Sequence, residues 1–252
     1  MKCPGCGEPP SVDTIPLCTV CAAALVDCPP LCPRCANPAC GGGVAPCTGP
    51  HGAVIKSYSA RYLLAGTGFT VLKRWKTSHG PLFDRLVLKA NTSFLNALGA
   101  SGCGMAGSDA ARASAVVPVP QQARRAMMLG GSPAQKFAAW LARLCDTPVL
   151  DALRMRSLPH WSALGNAFGN TFTGTNTRQA ELNRAGRLEK NAGFVCDCTH
   201  TLQGRSVILA DDFMTTGRTV RLAAEELARA GASEVHVVCL GLRPRKILGS
   251  SI

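Results

Sequence analysis

The sequence predicts an α/β fold, a mostly parallel sheet flanked by helices, with a small N-terminal zinc-ribbon module ahead of it. Three observations carry that prediction. Nine of the fourteen cysteines lie in the first 47 residues. From Ala115 onward, short apolar runs alternate with stretches of helix formers, the pattern of a parallel sheet covered on both faces. And one stretch, Arg205 to Val220, joins a run of β-formers to a helix through a turn rich in carboxylates and hydroxyls. By composition the chain divides into a cysteine-rich zinc-binding module at 1–50, a helical segment and flexible linker at 51–114, and an α/β domain at 115–252.

The first module rests on Cys3-x₂-Cys6 and Cys18-x₂-Cys21, two knuckles whose four thiolates suit tetrahedral zinc. Pro4, Gly5 and Gly7 allow the tight first turn. A ribbon this small has no core of its own, so the metal would supply the folding energy. Four thiolates also leave no open position, which excludes a catalytic zinc there. Cys28, Cys32, Cys35, Cys40 and Cys47 follow with irregular spacing, near His51, and leave a second metal site or free thiols equally open. Prolines and Gly41–Gly43 mark this part as turns.

Tyr58 to Lys76 and Leu82 to Leu98 read as two helices around a break at 78–81. Lys73, Arg74 and Lys76 cluster at the end of the first, either as cations favoured by the helix dipole or as a binding patch. Gly99 to Ser114 reads as linker. Ala115 to Pro120 reads as a strand stopped by prolines. Ser132-Pro133 then opens a helix running to about Cys145, and Val149 to Leu153 reads as a further strand. Arg178 to Lys190 is a polar, charged stretch with one thin apolar line, and Glu234 to Leu240 closes the pattern as another strand.

The chemistry concentrates between them. Val207 to Ala210 is too short and too rich in β-formers for a helix and reads as a buried strand. Asp211 and Asp212 follow, then Thr215, Thr216, Gly217 and Thr219, then a helix from Leu222 closed by Gly231. Strand, turn and helix place the threonines at a helix N-terminus, where free N–H groups favour a phosphate. Carboxylates cannot bind phosphate. They suit hydroxyl groups or a divalent cation, so the stretch asks for a phosphorylated polyol with Mg²⁺. The plain alternative is a strand-to-helix turn with a capping Asp.

Lys and Arg exceed Asp and Glu by 27 − 15 = +12, which points to an anionic partner. One tetrathiolate zinc would lower that only to +10. No signal-peptide pattern and no apolar run of membrane-spanning length is seen, so a cytoplasmic location is expected, with cysteines serving as metal ligands or free thiols rather than disulfides.

Val-Ile-Leu-Ala-Asp-Asp-Phe-Met-Thr-Thr-Gly-Arg-Thr resembles the phosphoribosyl pyrophosphate (PRPP) signature of type I phosphoribosyltransferases. The resemblance implies that Asp211 and Asp212 hold the ribose hydroxyls and that Thr215, Thr216, Gly217 and Thr219 hold the 5′-phosphate. The four-cysteine finger, the Val-Pro-Val-Pro strand and the spacing Gln179, Leu182, Arg187, Asn191, Phe194 are similar to the ComF branch of that superfamily. This implies a type I phosphoribosyltransferase-like domain at 115–252, with Arg187 and Asn191 facing the ribose or pyrophosphate. It implies structural zinc, Mg²⁺ and PRPP as ligands, and transfer of phosphoribose to an acceptor. The family's association with competence implies an alternative, binding of single-stranded DNA during uptake beside a competence helicase, with PRPP as a ligand that is not turned over. At one place the chain departs: Gly130-Gly131-Ser-Pro-Ala-Gln135 stands where the family carries Arg-Gly-x-Asn-Gln-Ala, which removes an arginine expected near pyrophosphate.

Overall fold

The computed structural model describes residues 2–8, 17–38, 40, 54–77, 81–89, 91–100, 113–121, 127, 131–156, 193–197 and 199–243. In chain order the elements are α1 (Thr19–Ala23), β1 (Ile55–Leu63), α2 (Gly66–Thr77), α3 (Pro81–Val87), α4 (Thr92–Ala100), β2 (Ala115–Pro118) and α5 (Pro133–Leu144). Then come β3 (Leu153–Met155), β4 (Phe194–Cys196), α6 (Thr199–Leu202), β5 (Ser206–Met214), α7 (Arg218–Arg229) and β6 (Glu234–Leu242). Four strands form one sheet in the order β1-β6-β5-β2, every pair parallel, while β3 and β4 form a separate antiparallel pair.

A parallel sheet must be covered on both faces, and the side-chain alternation of β5 shows how that is met here. Ile208 and Ala210 point into one apolar layer with Leu72, Trp75, Phe83, Leu98, Phe137 and Leu141, brought by α2 to α5. Val207 and Leu209 point into the other, with Val220, Ala223, Ala224 and Leu227 of α7 and Leu153 and Phe194 of the β3–β4 pair. Each fully buried aliphatic side chain contributes about 1.5–3 kcal/mol. Helices flank the sheet on both sides, as the sequence predicts.

Three sequence expectations change. The stretch read as one helix from Leu82 to Leu98 is two: α3 ends at Val87 and α4 opens at Thr92, where the Asn91 Oδ1 accepts from the Phe94 N–H at 2.9 Å. Tyr58 to Leu63 is strand, not the start of a helix: β1 runs in parallel register beside β6 from Ile55↔Val235 to Leu63↔Leu242. Helix propensity does not separate the two segments, since Gly66, Thr67, Gly68 and Thr70 of α2 are no better helix formers than Ser57, Tyr58, Ser59 and Tyr62, and the parallel pairing with β6 decides the matter. The helix begins only at Gly66, whose φ of 46° turns the chain. The strand expected at Val149 to Leu153 starts later, at Leu153, and Val149 makes only an isolated parallel bridge to Val116. By contrast α5 opens as predicted, with the Ser132 side chain accepting from the Gln135 N–H at 3.4 Å.

The cysteine module sits against α2. Cys3, Leu17 and Cys21 share the apolar layer of Leu72 and Trp75. Gly68 makes that fit: a Cβ there would lie 2.1 Å from the carbonyl oxygen of Ala24. A second tie is the buried Arg61, which pairs with Asp27 and donates to the Lys89 carbonyl at 2.9 Å.

Candidate functional site

Parallel topology brings the carboxyl ends of β5 and β6 together, the usual edge for ligands in such sheets. Asp211 and Asp212 lie inside the last turn-ward half of β5, not after it as the sequence reading had them, and both are buried. Strand alternation sends their side chains to opposite faces. Asp211 turns toward the α7 layer, where Cys239 lies near it, and its Oδ1 accepts from the Asp212 N–H at 2.9 Å. Burial, reinforced by the neighbouring Asp212 charge, pushes the Asp211 carboxyl well above the ordinary carboxylate range.

Asp212 turns the other way, toward α2. Its Oδ1 accepts from the Phe213 N–H at 2.6 Å, and its Oδ2 lies 2.7 Å from the Lys76 ammonium and accepts from Gln121 Nε2 at 3.3 Å. The Lys76 ammonium also stands 3.9 Å over the centre of the Phe213 ring, which in turn leans on Phe69 at 6.3 Å. Lys76 was not among the sequence candidates for this site. A signal existed: Gly68, Leu72 and Lys76 are spaced four apart on α2, so Lys76 continues the buried stripe, whereas Lys73 and Arg74 face solvent.

The loop beyond β5 is open. Thr215, Thr216, Arg218 and Thr219 are exposed, and Gly217 takes φ 72° at the N-cap of α7, a left-handed conformation that glycine adopts without steric cost. No side chain caps α7 there, and the Thr216 hydroxyl accepts from the Arg218 N–H at 3.4 Å. The 12-residue α7 thus presents its first N–H groups and its dipole to a cavity of about 480 Å³. Thr215, Thr216 and Gly217 line this cavity with Arg34, Arg221 and Arg243. Such a lining suits a phosphate dianion. The two carboxylates are not part of it and stand beside it at the end of the same strand.

The two expected metals fare differently. The sulfurs of Cys3, Cys6, Cys18 and Cys21 all lie within 4.8 Å of one another, and Cys6 and Cys18 are 3.7 Å apart. Tetrahedral zinc with bonds of about 2.3 Å asks for about 3.8 Å between sulfurs, so the set fits. Burial raises the Cys3 thiol, but the N–H groups of Cys18, Cys6 and Gly5 outweigh it and bring Cys3 down to about 6. Burial and the other sulfurs push Cys21 up instead, so a cation is needed to ionise all four. Of the later cysteines, Cys32, Cys35 and Cys40 form a second close group, while Cys28 is buried in the α7 layer and Cys47 lies outside the described residues. For Mg²⁺ the carboxylate pair does not fit. Both Asp212 oxygens already have partners, one of them an ammonium, and the Asp211 Oδ1 already accepts from the Asp212 N–H on the opposite face of the strand.

Arg187, Asn191 and Gly130 lie outside the described residues, as does most of the Gln179–Phe194 segment. Phe194 is described, and it is buried in β4.

Residues 149–250 match the family model described as the phosphoribosyl transferase domain. This part of the chain is a phosphoribosyltransferase-type domain. Over 129 residues the chain is 30% identical to the DNA utilization protein YhgH of Escherichia coli K12 and 29% identical to that of Escherichia coli O157:H7. The match takes in 50% of this chain and 48% of each relative, so the chain spans about half the length of the curated relatives it matches. These findings bear out the resemblance drawn from the sequence. Among solved structures, a purine phosphoribosyltransferase from Pyrococcus horikoshii aligns at 16% identity and a TM-score of 0.29, over 52% of this chain and 61% of its own. An allosteric regulatory enzyme of purine biosynthesis aligns at 22% identity and a TM-score of 0.30, over 52% of this chain and 22% of its own. Among the described residues no helix is long and apolar enough to cross a membrane.

Proposed function

We propose that the phosphoribosyltransferase domain binds PRPP at the end of β5, with the 5′-phosphate on the Thr215–Thr219 loop and the ribose hydroxyls at Asp211 and Asp212. The observation that carries this is the placement of an uncapped, glycine-turned helix N-terminus directly after two buried carboxyls on one strand. A phosphate needs donors and a ribose diol needs acceptors, and the chain supplies them in that order along a few residues. Transfer of phosphoribose to an acceptor would then depend on positioning and on electrostatic stabilisation of the departing pyrophosphate. The basic lining from Arg34, Arg221 and Arg243 is suited to that task. Arg187 and Asn191 are proposed to approach the ribose or pyrophosphate, and Cys3, Cys6, Cys18 and Cys21 to hold one structural zinc.

Titration calorimetry with PRPP tests the placement. Replacing Asp211 and Asp212 together by Asn leaves one amide oxygen at each position but removes the charged acceptors, whose hydrogen bonds are worth about 1.5–3 kcal/mol, so affinity should fall at least tenfold. Equal affinity of double variant and parent would move the ribose elsewhere.

A second reading is favoured by the +12 balance and by the name of the YhgH relatives as DNA utilization proteins. In it, exposed cations such as Lys73, Arg74 and Arg243 contact the phosphates of single-stranded DNA, with PRPP as a ligand only. Pyrophosphate release in the presence of a nucleobase or amine favours the transferase, and DNA retention without release favours the binder.

A further inference from the structure

We propose that the Lys76 ammonium is the resident counter-cation of Asp212, so that a phosphoribosyl ligand engages this end of the site without a divalent cation on the carboxylate pair. The inference deepens the phosphoribosyl reading and rests on it. It also disagrees with the Mg²⁺ that the signature stretch suggests.

Three observations hold Lys76 in that role. Its ammonium is 2.7 Å from Asp212 Oδ2, and the two side chains are only 15% and 7% exposed, so the pair is shielded from the solvent that makes surface ion pairs weak. The ammonium is also fixed from a second direction by the Phe213 ring at 3.9 Å, the residue next to Asp212 on the same strand. Finally, α2 itself is anchored one residue earlier: Trp75 is buried and its indole N–H donates to Asp84 Oδ1 at 2.8 Å. Lys76 therefore cannot swing out without leaving Asp212 as an unpaired buried charge, which is strongly disfavoured.

The charge balance explains what this does for a ligand. Asp212 is matched by Lys76 at 2.7 Å, so this carboxylate adds no unbalanced charge beside a loop built for a phosphate dianion. A ribose diol can donate to the Asp212 oxygens while they keep the ammonium. Without Lys76, a bare carboxylate would face the incoming phosphate, and a divalent cation would have to supply the missing charge. This predicts a change in metal dependence, not only in affinity.

The probe is ribose 5-phosphate, which lacks pyrophosphate and so has no other strong demand for a metal. Its affinity for the full chain is measured by calorimetry in EDTA and in Mg²⁺, for the parent and for Lys76→Met. The parent should bind within twofold in the two buffers. Lys76→Met should bind at least tenfold more weakly in EDTA and recover most of that loss in Mg²⁺. A lysine that only supports packing would lower affinity equally in both buffers, and that result overturns the proposal. So does a parent that needs Mg²⁺. Should Lys76→Met not fold, Lys76→Gln is read by the same criteria. No binding by the parent in either buffer would overturn the phosphoribosyl reading itself, and the assignment of Lys76 with it.

Discussion

Asp211 sits where water cannot solvate its charge, and its stability cost has a definite sign. Its folded pKa is raised above the unfolded value of 3.8, chiefly by burial. At pH values below the unfolded pKa both states hold the proton and nothing is lost. As pH rises above 3.8, the unfolded chain releases the proton more readily than the folded one, so stability falls until the folded pKa is passed. Asp211→Asn keeps an oxygen for the Asp212 N–H and removes the titration. Its melting temperature should exceed the parent's at pH 7, with the gap closing toward pH 4. A variant less stable than the parent at pH 7 would show that the carboxyl is held by interactions the structure does not contain. At this scale the sequence was informative about chemistry and silent about pairing. The adjacent acids, threonines and glycine were legible because local strand–turn–helix geometry sets their positions. Lys76 was less so, because its meaning depends on α2 crossing to β5, a contact 136 residues apart in sequence that only tertiary packing creates.

The elements repeat that lesson. β5, β6, α5 and α7 were readable from their own residues, since each has an unambiguous apolar run or cap. β1 was not. Its alternation is blurred by the burial of Ser59, Ala60, Arg61 and Tyr62 in succession, and its neighbour β6 lies far along the chain. The contact of α2 with the cysteine module gives a test in which two effects oppose. Helix propensity alone makes Gly68→Ala stabilising by about 1 kcal/mol. The added Cβ would meet the Ala24 carbonyl at 2.1 Å, and backbone cannot rotate away as a side chain can. The clash should win, with a net loss of about 1–3 kcal/mol in chemical denaturation. A neutral or stabilised variant would mean that the module is not seated on α2. The same module should carry zinc. Structural zinc is worth about 10–16 kcal/mol in small fingers, so Cys18→Ser should release one zinc by elemental analysis and expose 2–38 to protease.

For the whole molecule the question is what the +12 charge is for. Pairing of Lys76 with Asp212 reduces the cluster on α2 to Lys73 and Arg74. If both touch phosphates of single-stranded DNA, replacing them by Ala should flatten the slope of log affinity against log salt by about 1.4, since each contact contributes about 0.7. An unchanged slope would assign the DNA contacts, if any, to other cations. PRPP binding should be indifferent to this pair, because neither side chain is at the end of β5.

If one strand end holds both halves of a phosphoribosyl group, a crystal structure of the chain soaked with PRPP will display them there. The 5′-phosphate should lie within hydrogen-bond distance of the N–H groups of Thr216 to Thr219 at the start of α7, with the ribose diol on Asp211 and Asp212. Phosphate density away from that loop, or a ribose that leaves both carboxyls untouched, would contradict this placement.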